Sequence, residues 1–432
     1  MLGFEAKQLE AIGFDYILNQ LTPDSPYGRE RVKQIAFMDE AALESSFDYM
    51  EKIISYFSDY EKTRTILALF KDIRKSISKT EPLSQVEIFE IKGFLINLEK
   101  LEKTIPDSNI FHPMDEALAI VDPSGLRIPT FTIESPLLFS IRKEKLKTDP
   151  LSIGWQSLIE QETTEENHIL RDMSLRLQAY TRNFLSNMNI IGELDFTMAK
   201  TRLALEHGAN RPVISKRGVL SFKEMNNPYI ADAHKDKPFT KVSIQMEKGV
   251  TIITGANMGG KSVALKTAML NTLLCRTGFF VFAQKAEVPL FDGVCMISED
   301  TQDITRGLSS FGAEMMRINE IIARIKSEFL FIALDEPARG TNPEEGAIIV
   351  RAIANHFAKY NSVTMLATHY NRVTSLRFKH YQVAGVKTTS MDYNLIEAPH
   401  DAPPPQDAIK ICKIIGLDKN LLAEIVAQHT AP

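Results

Sequence analysis

The sequence is poor in cysteine and tryptophan and has no excess of positive charge. It has three cysteines and one tryptophan among 432 residues, and its formal net charge is −5. Cys275, Cys295 and Cys412 are far apart and form no C-x-x-C pair, which argues against a disulfide framework and against a structural zinc site. We therefore expect a protein of the reducing cytoplasm without a global positive field for nucleic acid or anionic lipid. A local basic strip stays compatible with this composition, since phosphate contacts need only a few lysines or arginines.

Long hydrophobic runs are also absent. No apolar stretch approaches the roughly 20 residues that span a bilayer, and the first residues carry Glu5, Lys7 and Glu10 where a signal peptide would be apolar. We therefore expect no membrane partner. The hydrophobic fraction of 44% and the charged fraction of 24% are ordinary for a folded globular chain. The length suggests two to three domains.

The first half of the chain has helical periodicity. Apolar side chains recur at three- or four-residue intervals over residues 1–105, which predicts a helical core. Prolines then break the chain into short pieces, among which Thr130–Ile133 alternates like a brief strand. We expect this stretch to begin a connecting region that covers residues 106–208.

Long helices are predicted in the second part of that connecting region. An apolar stripe extends through a helix from about Ser157 to Met188. Gly192 is expected to end this helix, and Asp195 is expected to start another that closes near Gly208. A stripe of this kind favours packing against the core or a partner helix over a cofactor role.

Short β-rich runs alternate with helices after Gly208. This pattern predicts a three-layer α/β domain over residues 209–400, followed by a helical tail at 401–432. The predicted strands lie at 219–222, 242–244, 250–253, 329–334 and 363–367. Two further runs, at 383–386 and 393–396, are predicted as antiparallel additions at one edge of the sheet.

One glycine-rich segment carries the strongest chemical signal. It joins a strand to a helix and fits the phosphate-loop pattern G-x-x-x-x-G-K-[ST] from Gly255 to Ser262. Backbone N–H groups of such a loop surround phosphate oxygens, its lysine reaches the β- and γ-phosphates, and its serine ligates Mg²⁺. The alternative, a glycine turn that binds nothing, is disfavoured by the flanking strand and helix. The predicted nucleotide-binding residues are Gly255, Ala256, Asn257, Met258, Gly259, Gly260, Lys261, Ser262 and Val263.

Two acidic residues follow another buried strand. The apolar run Phe329–Leu334 lacks alternation, which is typical of a central parallel strand, and Asp335 and Glu336 then lie at its carboxyl end. We predict that Asp335 holds Mg²⁺ and that Glu336 polarises the attacking water. The alternative is an ordinary acidic strand end without a catalytic role.

Single polar residues complete the predicted site. His369 follows the apolar strand at 363–367, so it should lie at the same edge of the sheet, where it suits a γ-phosphate sensor. His356 and His380 have no such context and are expected at the surface or in packing. Ser309 or Ser310 fits the N-cap of a helix between the two nucleotide motifs.

Taken together, these motifs resemble the ATPase domain of the MutS family of DNA mismatch repair proteins. The resemblance covers the chain strongly from about Pro212 onward and more weakly the helices up to Gly192–Phe196, which resemble the core and lever region of that family. It rests on the segments Thr254–Ser262, Ala283–Glu287, Ser309–Met315, Leu334–Asn342 and Ala367–Tyr370.

The resemblance implies an α/β domain of the ABC type, preceded by an all-α core and lever domain, that binds ATP and Mg²⁺ and acts as an ATP-gated homodimer on DNA. Ser309 would approach the γ-phosphate held by the other subunit, in trans. Asn257 would line the phosphate pocket, and Arg339–Thr341 would lie at the subunit contact.

Departures from the family pattern leave two functions open. The sequence has room for only a turn at Lys147–Ile159, where the DNA clamp of the family would be inserted, and we expect no mismatch-binding, connector or nuclease domain. Ala256 replaces the usual proline, and Asn227-Pro228 stands where His-Pro is common. The first hypothesis is an ATPase acting on DNA structure. The alternative is an ATPase that remodels a protein partner, as short MutS-like proteins associated with reactivation of cobalamin-dependent aminomutases do.

Overall fold

The computed structural model describes most of the chain and divides it into two compact units. The sheet unit comprises residues 1–21, 35–49 and 200–432, and the helical unit comprises residues 22–34 and 50–199. Helices α4 (Glu40–Ser55) and α11 (Thr181–His207) contribute residues to both. The described residues are 6–55, 60–105, 110–233, 239–255, 260–298, 310–370, 373, 378–387, 390–399, 402, 408–414 and 416–430.

The described part of the helical unit contains helices and no strand. Its centre is aromatic: the Phe94 ring lies 5.3 Å from Phe70, 5.7 Å from Phe184 and 6.2 Å from Tyr27, between ring centroids. Such tilted and edge-to-face pairs stabilise a core beyond their buried area. Besides its parts of α4 and α11, its helices are α3 (Pro26–Val32), α5 (Tyr60–Leu67), α6 (Arg74–Ile77), α7 (Gln85–Thr104), α8 (Asp115–Val121), α9 (Pro136–Lys145) and α10 (Ile153–Gln178).

The predicted helix boundaries at Gly192 and Asp195 are wrong. Helix α10 ends at Gln178, and α11 runs uninterrupted through both residues. A Cβ atom at Gly192 would lie 3.0 Å from the Tyr27 carbonyl oxygen, so glycine permits a close approach instead of ending the helix. Asp195 accepts hydrogen bonds from the Ser25 backbone N–H at 2.7 Å and the Ser25 hydroxyl at 2.6 Å. Both residues are of types common at helix ends, but here they make tertiary contacts with the start of α3.

The expected strand at Thr130–Ile133 is also not formed. The Thr130 carbonyl instead accepts a hydrogen bond from the Lys92 ammonium at 2.8 Å. Lys92 Nζ lies 3.0 Å from Asp122 Oδ1, and both side chains are buried. Burial alone would raise the pKa of Asp122, but the Arg127 N–H, Lys92 and the Arg127 side chain lower it to about 2. A buried ion pair therefore organises this connection.

The sheet unit contains two sheets. The six-stranded sheet has the order β10-β9-β4-β8-β7-β6, and the four-stranded sheet has the order β1-β5-β2-β3. The strands are β1 (Val213–Ser215), β2 (Leu220–Met225), β3 (Val242–Met246), β4 (Gly249–Thr254), β5 (Lys285–Pro289), β6 (Gly293–Ile297), β7 (Leu330–Asp335), β8 (Ser362–Ala367), β9 (Lys379–Lys387) and β10 (Ser390–Glu397). Sequence patterns did not predict β1, β5 or β6.

The six-stranded sheet is parallel from β9 to β6, and only β10 pairs antiparallel. The predicted antiparallel addition is therefore confirmed for β10 and wrong for β9, which runs parallel to β4. Strands β4, β7 and β8 are almost entirely buried, as expected for parallel strands covered on both faces. The flanking helices of the sheet unit are α1 (Ala6–Ile12), α2 (Phe14–Gln20), α12 (Pro228–Ala233), α13 (Lys261–Arg276), α14 (Ser310–Arg324), α15 (Pro343–Phe357), α16 (Ala408–Ile414) and α17 (Lys419–Thr430).

None of the helices within the described ranges combines the length and the apolar character needed to cross a bilayer.

The Asp122 ion pair makes the helical unit sensitive to acid. Because the pKa of Asp122 is lowered, its carboxylate stabilises the fold fully above its ordinary value of 3.8, and this contribution is lost as the pH falls toward about 2. We expect Asp122→Asn to be less stable than the wild type at neutral pH and to lose less stability across this range.

Urea unfolding followed at neutral pH and at several pH values below 5 measures this difference. Glu134→Gln, which changes an exposed carboxylate, is the control. Parallel pH profiles for Asp122→Asn and the wild type would contradict the assignment.

Candidate active site

The predicted chemical residues lie at the carboxyl ends of three neighbouring strands. Strand β8 lies between β4 and β7, and the register pairs Ile253 with Ala367 and Ala367 with Asp335. Carboxyl ends of parallel strands form the usual ligand-binding edge of an open α/β sheet. The topology therefore brings together the residues that follow these strands in sequence.

Lys261 and Glu336 form a buried ion pair at this edge. Lys261 Nζ lies 3.1 Å from Glu336 Oε1, and the exposed fractions of the two side chains are 3% and 12%. Lys261 also donates a hydrogen bond to the Gly255 carbonyl at 2.8 Å. Lys261 begins α13 directly after Gly260, whose φ of 91° suits glycine in the left-handed region. The lysine of the phosphate loop is therefore held between the loop and the acidic strand end.

Glu336 lies in a strained turn. Its φ is 50° and that of Ala338 is 60°, a conformation that residues with a side chain seldom adopt. The Glu336 N–H donates to the Ala367 carbonyl at 3.0 Å, which aligns the turn with the end of β8. The Tyr370 hydroxyl donates to the Ala338 carbonyl at 3.1 Å, and the Ala338 N–H donates to Glu314 Oε1 at 3.0 Å. Two surrounding elements thus maintain the strained backbone.

His369 lies beside the Glu336 carboxylate. Its Nδ1 is 3.5 Å from Glu336 Oε2, at the outer limit of hydrogen-bond distance. His369, followed by Lys261, holds the pKa of Glu336 at about 2 against the opposing effect of burial. Arg339 adds a cation 3.8 Å from the same carboxylate. Glu336 is therefore ionised at neutral pH and contacted by three basic side chains.

Asp335 suits a divalent cation. Its Oδ1 is enclosed and has no hydrogen-bond partner among the described residues, while the Ser262 hydroxyl bonds to the same carboxylate. Burial raises the pKa of Asp335, Ser262 opposes this rise, and Glu336 adds to it. A bound cation would compensate both effects. Serine and aspartate oxygens are the hard ligands that Mg²⁺ accepts, and this ion usually keeps several waters.

No group of three or more His, Cys, Asp or Glu side chains suited to a metal occurs within the described ranges. An Mg²⁺ at Ser262 and Asp335 would therefore depend on water and substrate for its remaining ligands.

The structure brings together Lys261, Ser262, Asp335, Glu336 and His369, with Gly255 and Gly260 at the two ends of the loop and Val263 in the first turn of α13. The predicted residues Ala256, Asn257, Met258, Gly259 and Ser309 lie outside the described residues.

Sequence reasoning overlooked the residues that support the Glu336 turn. Glu314 and Tyr370 both occurred in quoted motifs, yet nothing in their spacing indicated contacts with Ala338. His380, expected to be a surface or packing residue, is buried and hydrogen-bonded to Thr254 at the end of β4. Its partner is 126 positions away in sequence, so no local signal could have identified the contact.

The strand order, the loop glycines and the acidic strand end define a P-loop nucleotide-binding domain. Comparison with known sequences agrees: residues 251–400 match MutS domain V. The chain belongs to the MutS family, of which this domain is the P-loop ATPase.

Proteins named Endonuclease MutS2 are among the curated relatives. The chain is 31% identical to that of Fusobacterium nucleatum, over 64% of this chain and 36% of the relative. It is 33% identical to that of Caldicellulosiruptor bescii, over 61% of this chain and 33% of the relative. For Caldanaerobacter subterraneus the identity is 26%, over 98% of this chain and 64% of the relative. The chain thus spans roughly one third to two thirds of the length of these relatives.

The Tyr370 hydroxyl provides a test of the strained turn. Tyr370→Phe leaves the Ala338 carbonyl without this donor, so we expect the free energy of unfolding to fall by about 1 kcal/mol. We also expect kcat for ATP hydrolysis to fall more than nucleotide affinity, because the turn carries Glu336 and not the phosphate loop. Chemical denaturation and steady-state ATPase assays measure the two effects.

Tyr360→Phe is the matched control, since its hydroxyl lies 3.5 Å from His356 Nε2 and makes only a weak contact there. Wild-type stability and wild-type kcat in Tyr370→Phe would contradict the role of this hydrogen bond.

Proposed function

We propose that this protein is an Mg²⁺-dependent ATPase with an ABC-type domain, and that it works as an ATP-gated homodimer on DNA. The observation that carries the proposal is the cluster formed by Lys261, Asp335, Glu336 and His369 beside the phosphate-loop glycines. ATP hydrolysis requires a cation for the phosphates, a ligand for Mg²⁺, an ionised base and a polar sensor of the γ-phosphate. These four residues would supply them in that order.

The buried ion pair suggests how nucleotide binding prepares the base. Lys261 contacts Glu336 and the Gly255 carbonyl in this conformation, but a phosphate-loop lysine serves the β- and γ-phosphates when nucleotide is bound. Its transfer to the phosphates removes one of the side chains that lower the pKa of Glu336. Glu336 then becomes a stronger base for the attacking water, while His369 remains beside it.

Ser262 and Asp335 are the residues that would hold Mg²⁺. When bound, the ion would neutralise charge on the β- and γ-phosphates. Asp335 remains ionised there because the cation offsets the burial that raises its pKa.

The homodimer follows from the family resemblance. Ser309 would complete the site of the other subunit in trans, and Arg339–Thr341 would lie at the contact. ATP then acts as a ligand that prefers the closed dimer, and hydrolysis releases it. We assign the ATPase domain to residues 209–400, the connection and lever helices to 106–208 and the tail to 401–432. The proposed helical core, residues 1–105, includes the segments 1–21 and 35–49, which cluster with the sheet unit.

DNA is the proposed partner because the chain belongs to the MutS family and its relatives are named Endonuclease MutS2. A protein partner is the second candidate, favoured by the net charge of −5, because a chain without excess positive charge gains little from DNA phosphates unless basic residues are concentrated locally. The two candidates share the ATPase cycle and differ in what the lever helices act on.

Glu336→Gln tests the catalytic assignment. We expect kcat to fall by about 10²–10⁴-fold, as for loss of a general base. Nucleotide affinity should stay at least as high as in the wild type, because Lys261 no longer has a carboxylate competing with the phosphates. Steady-state ATP hydrolysis and titration with MgADP measure the two quantities.

Glu160→Gln, an exposed carboxylate in the helical unit, is the control. Wild-type turnover in Glu336→Gln would reject Glu336 as the base. The Mg²⁺ assignment has an independent readout: Asp335→Asn should weaken the dependence of nucleotide affinity on Mg²⁺.

Binding to homoduplex, mismatched and branched DNA tests the partner. We expect an affinity that changes with ATP and falls with rising salt, because each phosphate contact releases counterions. Anisotropy titrations over a salt series, with and without ATP, measure both effects. If the hydrolytically active wild type shows no ATP-linked binding at low salt, DNA is rejected and a protein partner is favoured.

A further inference from the structure

Strand β9 lies beside the root of the phosphate loop. It pairs in parallel with β4, with Thr251 opposite Lys379 and Thr254 opposite Gln382. A Cβ atom at Gly255 would lie 2.9 Å from the Val383 side chain, so the first loop residue packs tightly against β9. The position of the loop therefore depends on this strand as well as on β4.

His380 connects β9 to the last residue of β4. Its Nε2 lies 2.8 Å from the Thr254 hydroxyl oxygen, and its Nδ1 lies 2.8 Å from the Pro399 carbonyl oxygen. His380 and Thr254 are buried, with exposed fractions of 2% and 0%. A buried side chain with both ring nitrogens in hydrogen bonds has one fixed orientation.

The Pro399 contact determines the tautomer. A carbonyl oxygen can only accept, so Nδ1 of His380 must carry a proton and donate it. In the neutral ring Nε2 is then an acceptor, and the Thr254 hydroxyl donates to it. The Ala398 N–H also donates to the His380 carbonyl at 2.9 Å. Ala398 therefore fixes the His380 backbone, and Pro399 fixes its ring.

This connection continues into the candidate active site. The peptide after Thr254 leads to Gly255, whose carbonyl accepts the hydrogen bond from Lys261. The Gly255 carbonyl belongs to the next peptide along the chain, so a shift of the Thr254 backbone would displace it, and with it the resting position of Lys261 beside Glu336. Fixing the Thr254 side chain restricts such a shift.

We propose that His380 is a positioning residue for nucleotide binding, which fixes the start of the phosphate loop by accepting a hydrogen bond from the Thr254 hydroxyl while donating one to the Pro399 carbonyl. This role rests on the proposed ATPase function. It acts through the loop and not through contact with the reacting atoms, so its loss should affect nucleotide affinity more than the chemical step.

Thr254→Val removes the hydroxyl and keeps the shape of the side chain. We expect the Kd for MgADP, measured by calorimetry, to rise by about 3–10-fold, which corresponds to one lost hydrogen bond. The KM for ATP should rise to a similar extent, and kcat should stay within about twofold of the wild type. Thr254→Ser retains the hydroxyl and should restore most of the affinity.

Thr364→Val is the matched control. Thr364 is a buried threonine on the neighbouring strand β8, opposite Val250, and its hydroxyl has no hydrogen-bond partner among the described residues. The same substitution there removes a hydroxyl without removing a hydrogen bond. We expect its MgADP affinity and KM to equal those of the wild type.

A double substitution isolates the His380–Thr254 interaction. His380→Phe should weaken MgADP binding as Thr254→Val does, and adding Thr254→Val should cause little further loss because the bond is already absent. Additive losses would contradict the proposal. So would a Thr254→Val variant that unfolds at lower temperature but keeps wild-type Kd and KM, since that result indicates a structural role alone.

The experiment separates this role from the proposed function. Failure of the wild-type chain to bind MgADP would overturn the ATPase proposal together with the role of His380. Wild-type binding with an unaffected Thr254→Val variant would overturn the role of His380 alone.

Discussion

The ion pair between Lys261 and Glu336 is the constraint on which the rest of the site depends. A buried charge without its partner destabilises a fold by several kcal/mol, so the carboxyl ends of β4 and β7 must stay within reach of one another. They do so because only β8 lies between them. The left-handed turn at Glu336 then directs its carboxylate back across β8 toward Lys261. The strand order and the strained backbone at Glu336 therefore both contribute to the Lys261–Glu336 ion pair.

The sequence predicted the chemical residues better than it predicted their supports. Asp335 ends β7, Glu336 and His369 come just after β7 and β8, and Lys261 and Ser262 follow the loop after β4. Parallel strands bring such residues to one edge whatever the details of packing. Their supports obey no such rule. The Tyr370 and Glu314 contacts with the turn join residues 32 and 24 positions apart, and local patterns carry no information about such contacts.

Helix boundaries failed for a related reason. Gly192 and Asp195 have the residue types that end and begin helices, yet α11 passes through both. Because Gly192 has no side chain, the Tyr27 carbonyl can approach it closely. The Asp195 carboxylate accepts hydrogen bonds from the backbone N–H and the hydroxyl of Ser25. Glycine and aspartate can end or begin a helix, and they can also make tertiary contacts from within one. Only the folded structure shows which of the two roles a given residue has. Strands β5 and β6, which are consecutive in sequence, were overlooked because neither shows a strong alternation of apolar and polar residues.

The support of the Glu336 turn also bears on how a second subunit could influence the base. Helix α14 begins at Ser310, directly after Ser309, and its Glu314 accepts the Ala338 N–H. Ala338 has a left-handed backbone, so this hydrogen bond stabilises a conformation that the residue would otherwise leave. A shift of α14 would therefore change the turn that carries Glu336. If Ser309 engages a nucleotide in trans, as we propose, the helix that responds is the one already bonded to the catalytic turn of its own subunit. One short connection would then make hydrolysis at each site depend on occupation of the other.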